Sequence, residues 1–154
     1  MGEFFVHTCD RKVIKIIRQL AIPVGRVSLF VVFFWFGFLK LLGTSPAGSL
    51  VGDLLGKTMP FLPFESFMVV LGLWEMVTGI AFLIEGWERL AIALLVPHML
   101  VTFLPFVFLR AMVWQSFLMP TLEGQYIVKN LVIIALALGL AARLQPLGAP
   151  RSGR

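Results

Sequence analysis

Charged residues are scarce in this chain: Asp, Glu, Lys and Arg make up 14% of its 154 residues, whereas 59% of the residues are hydrophobic. Soluble domains typically contain about 25% charged and about 45–50% apolar residues. So few charges cannot cover a surface that faces water, which excludes a soluble globular domain. The length suits one domain, and we interpret the chain as an integral membrane protein.

Cysteine is nearly absent as well. Cys9 is the only one, which excludes a disulfide within the chain, a CxxC redox pair and a thiolate metal site. One histidine and one carboxylate inside the apolar segments are too few ligands for a metal, so no metal site is predicted. Alternating ten-residue segments typical of a membrane barrel are also missing, and helices must therefore satisfy the backbone.

Apolar runs close to the roughly 17–25 residues of a spanning helix occur four times. The fold class predicted from them is all-α, a four-transmembrane-helix bundle with short interfacial helices. The predicted spans are Val27–Leu42 (starting as early as Pro23), Phe67–Ile84, Leu90–Leu109 and Tyr126–Ala142. The first span is longer than most signal-peptide cores and has Lys40 before the small residues that follow it, so we expect it to be retained.

The basic residues indicate an orientation, because cytoplasmic flanks carry an excess of Lys and Arg. One predicted side carries Arg11, Lys12, Lys15, Arg18, Arg26, Arg89, Arg143, Arg151 and Arg154, and the other carries Lys40, Lys57, Arg110 and Lys129. Both termini are therefore predicted to be cytoplasmic. This bias and attraction to anionic lipid account for the net charge of +5, which gives no argument for nucleic-acid binding.

The predicted domain organisation has three parts. Residues 1–22 form a basic amphipathic segment on the inner leaflet, with Asp10 as helix N-cap and a break at Pro23 and Gly25; a solvated tail is the alternative. Residues 23–143 form the transmembrane domain, and residues 144–154 a disordered cytoplasmic tail.

The first predicted outer loop, residues 43–65, is apolar and contains a candidate interfacial helix. Ser45 is its expected cap and Pro46 its first helical residue. Glycines repeat every four residues along it, a spacing that permits close helix contact: Gly48, Gly52 and Gly56.

Two ionisable residues lie deep inside the predicted spans, Glu75 and His98. A rise of about 1.5 Å per residue puts Glu75 roughly 13 Å and His98 roughly 16 Å below the outer surface, on antiparallel neighbouring helices. Gly72 and Gly79 share a helical face with Glu75 and would let another helix approach. We therefore expect Glu75 to point into the bundle and to be able to pair with His98.

More polar residues are predicted near the outer interface, where they would surround a cavity with Glu75 and His98 at its floor. Candidate ligand-binding residues are Lys40, Glu75, His98, Tyr126 and Lys129. Snorkelling of Lys40 and Lys129 to the headgroups is the alternative, and it is the favoured interpretation for Arg110. Glu75 and His98 can equally be a structural pair without chemistry. No catalytic residue is assigned, and haem on His98 alone is not favoured.

Three stretches resemble one known family. "RVSLFVVFFWFGFLKL" (26–41), "GLWEMVTGIAFL" (72–83) and "EGQYIVKNLVII" (123–134) are similar to helices one, two and four of the DoxX-like membrane proteins, especially their YkgB-like branch. The resemblance covers roughly residues 24–142. Positions that match its motifs are Gly37, Lys40, Glu75, Gly79 and Lys129.

The chain also departs from that pattern. Gln125 and Asn130 stand where YkgB-like proteins tend to carry Arg and Asp, and His98 fulfils no family motif. The resemblance implies a four-helix protein of the bacterial inner membrane. Some relatives are linked to quinone-coupled thiosulfate oxidation, others to oxidant resistance, and distant ones to receptor assembly.

Two functions follow as hypotheses. The first is a redox-associated membrane subunit, quinone-linked or active in oxidative stress, in which Glu75 with Lys40 or Lys129 binds the polar head of a quinone. The second is a non-enzymatic scaffold or assembly factor that binds a partner membrane protein or a second copy of itself. Solute transport is less favoured, because the four spans show no inverted repeat.

Overall fold

The computed structural model describes the backbone of residues 2–146 and the side chains of residues 10–146. Helices dominate this part of the chain, and a two-stranded antiparallel ladder is the only sheet in it. The elements in chain order are α1 (Gly2–Leu41), α2 (Gly48–Thr58), α3 (Phe64–Leu83), α4 (Glu88–Phe103), α5 (Pro105–Phe108), α6 (Arg110–Val113), β1 (Trp114–Ser116), β2 (Met119–Pro120) and α7 (Leu122–Ala141).

Four segments of the described chain are long and apolar enough to cross a membrane: Asp10–Leu41, Phe64–Leu83, Glu88–Phe108 and Leu122–Ala141. The predicted all-α bundle of four spans is therefore confirmed, and the protein is a multi-pass membrane protein. The third segment is divided into α4 and α5 at Leu104. This residue precedes Pro105, and the residue before a proline is disfavoured in a continuing helix. Gly86, with φ of 91°, forms the turn between α3 and α4.

α1 corrects two expectations. It continues through Pro23 without the predicted break, and Asp10 lies inside the helix instead of capping it. Proline removes a single backbone hydrogen bond, here the one to Gln19 O, and helices in membranes tolerate this loss. The predicted tail lies mostly outside the described residues; Leu144–Pro146 follow α7 without regular structure.

α1 and α3 touch through their backbones. A Cβ atom built on Gly37 would lie 2.6 Å from Gly72 O, and one built on Gly72 would lie 2.7 Å from Gly37 O. A Cβ on Gly79 would lie 3.0 Å from Phe34 N. The small residues that share a face with Glu75 do receive a neighbouring helix, as predicted, and that helix is α1.

The apolar core lies where the four spans meet. α1 and α3 contribute two aromatic rings that stack with their centroids 6.4 Å apart, Phe33 and Phe82. The remaining buried members of the core are Leu29, Ala81, Ala91, Leu95, Met99, Ala137 and Leu140. Three of these core residues are alanines, whose small side chains allow the helices to approach closely.

Two contacts define one end of the bundle, which we call the Arg26 end. The Arg26 guanidinium donates a hydrogen bond to Glu88, and Arg89 donates to Gln145 O. The beginning of α4, the end of α7 and the middle of α1 therefore lie together at this end.

The opposite end carries α2, α5 and α6. Lys57 Nζ donates a 3.0 Å hydrogen bond to Phe108 O, which joins the first predicted outer loop to the end of the third predicted span. The short helix predicted in the first loop exists, but it begins at Gly48. Ser45 Oγ accepts a hydrogen bond from Ala47 N in the preceding turn, so Ser45 is not its cap and Pro46 is not its first residue.

Candidate functional site: a buried cluster of Lys40, Glu75 and His98

Lys40 lies in the last turn of α1 and is only 7% exposed. It follows Gly37 by three residues and therefore shares the face of α1 that contacts α3. A Cβ on Gly72 would lie 3.1 Å from Lys40 Cβ, so the glycines draw the lysine stem against α3. The ammonium group then lies 2.6 Å from Glu75 Oε2 and 3.5 Å from Phe36 O.

Glu75 lies near the middle of α3 and is 6% exposed. Its two oxygens point to different helices. Oε2 accepts the hydrogen bond of Lys40 from α1, and Oε1 lies 3.5 Å from His98 Nε2 of α4. A carboxylate facing lipid at this depth would cost about 2.5–3.5 kcal/mol; facing the bundle, it meets a cation and an imidazole.

His98 completes the cluster from α4, with its side chain 10% exposed. Its ring meets Phe33 edge-on at a centroid distance of 5.5 Å. Thr102 Oγ1 donates a 2.8 Å hydrogen bond to the His98 carbonyl. The preceding residue, Pro97, lies inside α4 and cannot donate to Ala93 O, so the helix has one backbone hydrogen bond fewer beside the imidazole.

The cluster joins three spans with charges that compensate one another. An ionised Glu75 and a protonated Lys40 sum to zero, and a neutral His98 leaves that balance unchanged. Buried charges are tolerated when they are paired and hydrogen-bonded. The arrangement can therefore lock α1, α3 and α4 in register, and its carboxylate and imidazole can exchange a proton or bind a polar group.

The other two candidate residues lie elsewhere. Tyr126 and Lys129 are both exposed on α7, and Lys129 Nζ lies 5.1 Å from the centre of the Tyr126 ring. The cation–π contact pairs them with each other. Arg110 is exposed as well. Of the two alternatives for Lys129, inward reach and snorkelling, the exposed position agrees with the second. Whether any of the five residues binds a ligand stays a prediction.

Two clefts on the surface of the described residues lie apart from the cluster, and none of its three side chains lines either of them. One of about 450 Å³ lies between α2 and the α5–α6 segment, beside Asp53, Lys57 and Arg110. The other, of about 280 Å³, is apolar and lies on the outer surface of α3 and α4 beside Trp74. Neither corresponds to the expected cavity with Glu75 and His98 at its floor.

A second buried ion pair was missed by the sequence analysis. Arg26 of α1 pairs with Glu88 of α4, and their side chains are only 14% and 10% exposed. Within residues 10–146, Arg26 Nη1 is the one buried side-chain polar atom that lacks a hydrogen-bond partner. The available signal was that opposite charges flank spans one and three on the same predicted side of the membrane.

Residues 10–146 contain no group of three or more His, Cys, Asp or Glu side chains that could hold a metal ion. In comparisons with known proteins, no family model, curated protein or solved structure matches the chain.

Proposed function

We propose that this protein is a DoxX-like protein of the bacterial inner membrane and a redox-associated subunit, whose Lys40–Glu75–His98 cluster binds the polar head of a small amphiphile such as a quinone. The single observation that carries the proposal is the position of Glu75, which contacts a lysine and a histidine from two other spans. Ionisable residues inside membrane spans are expensive and are mostly found at sites that bind or transfer something.

The residues behind the family resemblance support this assignment by their proximity. Gly37 and Lys40 of α1 meet the α3 motif at Gly72, and Glu75 pairs with Lys40. Motif residues from two separate stretches of the sequence, Gly37 and Lys40 on α1 and Glu75 on α3, therefore meet at one contact. Lys129, which also matches the motif, lies outside it.

The chemistry of the cluster suits a quinone head. A quinone presents carbonyl oxygens that accept hydrogen bonds, and its reduction consumes protons. Lys40 and the ring N–H of His98 can donate to such an oxygen, and Glu75 can exchange a proton with the bound head. Entry requires local separation of helices, and α4 lacks a backbone hydrogen bond beside His98 because of Pro97.

Mass spectrometry of the gently extracted protein tests the proposal. We expect a quinone to co-purify with the wild-type protein and with Glu65→Gln, which alters an exposed carboxylate of the same helix. Glu75→Gln should lose the quinone while still unfolding in a cooperative thermal transition, because its amide oxygen can still accept the Lys40 hydrogen bond although the charge pair is lost. Wild-type protein that carries no quinone even after reconstitution with a water-insoluble quinone would overturn the proposal.

The second candidate function is a scaffold or assembly factor without catalysis. Close backbone contact at Gly37 and Gly72 favours this function, because the cluster then only holds the helices together. Neither of the two clefts described above reaches the cluster. A stable stoichiometric protein partner, retained by Glu75→Gln and accompanied by no quinone, would support this function over the first.

The orientation belongs to the same proposal. We place the Arg26 end at the cytoplasmic side, because it carries Arg26, Arg89 and Arg143. The basic residues of α1 that precede Ile22 lie beyond the same end. Both chain ends are then cytoplasmic.

A further inference from the structure

α1 is much longer than the membrane it crosses. Its 40 residues extend roughly 60 Å at 1.5 Å per residue, against about 30 Å for a hydrocarbon core. Its contacts with the bundle begin at Ile22 and Gly25, and residues 10–21 are all exposed. We call residues 10–21 the α1 extension; it continues α1 beyond the Arg26 end of the bundle.

The α1 extension has two distinct faces. At about 100° per residue, its large apolar side chains fall within one arc of less than half the circumference, and its basic side chains fall in the opposite arc. The apolar face consists of Val13, Ile14, Ile16, Ile17 and Leu20, which are 40–59% exposed. The basic face consists of Arg11, Lys12, Lys15 and Arg18, with Gln19 between them.

The two faces of the α1 extension point in defined directions relative to the bundle. The same helical periodicity aligns the basic face with Gly25, Leu29 and Phe33, the bundle-facing side of α1. The apolar face continues into Val24, Val27 and Val31, which are exposed on the side of α1 away from the bundle. A bend of the extension away from the bundle would therefore turn its apolar face onto the membrane and its basic face toward water.

We propose that the α1 extension, which is continuous with the rest of α1 in this structure, bends outward at Pro23 on contact with lipid and binds the surface of the membrane at the Arg26 end through anionic lipid headgroups. Pro23 marks the bend because it leaves Gln19 O without its helical hydrogen bond. The extension carries four basic side chains and one acidic residue, Asp10. Apolar insertion combined with basic side chains that reach lipid phosphates is the usual binding mode of such helices.

A second copy of α1 is the other occupant that an apolar helix face suggests, and the residue pattern does not favour it. With Val13, Leu20 and Ile17 at the core positions of a heptad, the flanking e and g positions hold Ile14, Ile16 and other uncharged residues. Paired helices typically place charged residues there to select the partner. A wide apolar arc without flanking charges fits a lipid surface better.

The test uses the full-length protein in nanodiscs with Cys9→Ser as background and a single new cysteine, Ile17→Cys or Gln19→Cys. Both positions are exposed, but they lie on opposite faces of the extension. In nanodiscs that contain phosphatidylglycerol, we expect a membrane-impermeant maleimide to modify Ile17→Cys about tenfold more slowly than Gln19→Cys, because only the first inserts. Phosphatidylcholine alone, or replacement of Lys12, Lys15 and Arg18 by Gln, should remove most of the difference.

Equal reactivity at both positions with phosphatidylglycerol present would mean that the extension stands in water, and the proposal would be wrong. Protection that ignores both lipid charge and the Gln replacements would overturn the anionic-lipid part. A disulfide between two Ile17→Cys chains, formed in nanodiscs loaded with two copies and independent of lipid charge, would identify a second copy as the occupant instead. None of these outcomes depends on quinone binding by the cluster.

Discussion

The Nζ atom of Lys40 lies 2.6 Å from Oε2 of Glu75, although 35 residues separate them in sequence and each is almost fully buried. The two residues lie on helices whose backbones touch at Gly37 and Gly72. This close approach brings a lysine near the end of α1 within reach of a carboxylate near the middle of α3. The ion pair and the glycine contact therefore depend on each other.

Replacing one partner of the Lys40–Glu75 ion pair should lower the free energy of unfolding more than replacing both partners. We expect Glu75→Leu or Lys40→Met alone to lower the free energy of unfolding by about 3–5 kcal/mol, because the remaining charge is stranded in the bundle. The double variant Lys40→Met/Glu75→Leu should recover most of this loss. Thermal unfolding in mild detergent measures all three. Additive effects in the double variant would contradict a direct interaction.

The glycine contact gives a second prediction. Gly37→Ala should lower the free energy of unfolding by about 1–3 kcal/mol, because the new Cβ overlaps Gly72 O and must push α1 from α3. Gly139→Ala is the matched control, because Gly139 lies inside α7 and no atom of another described element lies within 4 Å of the new Cβ. There we expect no loss, or a gain of up to about 1 kcal/mol from helix propensity. Equal effects of the two variants would argue against the contact.

The ion pair between Arg26 and Glu88 should contribute to the free energy of unfolding independently of the Lys40–Glu75 pair. Glu88→Gln is expected to lower the free energy of unfolding by about 1.5–3 kcal/mol through the loss of a charge-assisted hydrogen bond to Arg26. Glu85→Gln, three residues earlier and exposed, should change it little. Comparison of the two thermal transitions is the measurement, and a similar shift for both would show that Glu88 acts only as a surface charge.

The lysines should differ in chemical reactivity. Lys40 is buried, whereas Lys57 and Lys129 are exposed. A water-soluble amine reagent should therefore modify Lys129 at a rate close to that of Lys57 and should modify Lys40 far more slowly. Peptide mass spectrometry after short labelling gives the three rates. Fast labelling of Lys40 in the folded protein would mean that its side chain snorkels to the interface instead of pairing with Glu75.

The orientation is testable with reporter fusions after Leu42, Ile84, Leu109 and Arg154. With both chain ends in the cytoplasm, these fusions should report outside, inside, outside and inside, because basic residues favour the cytoplasmic side. A C-terminal reporter that is active only outside the cytoplasm would reverse the assignment of the Arg26 end.

Composition and apolar run length sufficed to predict the number and type of spans. A shortage of charge over 154 residues and four apolar runs leave helices in lipid as the arrangement that satisfies the backbone. The inward direction of Glu75 was also predictable, because Gly72 and Gly79 lie on the same helical face. The sequence left open whether Lys40 or Lys129 reaches Glu75, since both end near the same predicted membrane depth.

The tertiary structure decided that choice, and also the pairing of Arg26 with Glu88 and the continuity of α1. Periodicity describes one helix at a time, whereas these features depend on which helices are neighbours. Lys40 is chosen over Lys129 because α1 packs on α3 through glycine backbones, while α7 presents Lys129 and Tyr126 to the outside. Helix contacts in lipid depend on close fit between small residues, and that fit exists only once the helices are assembled.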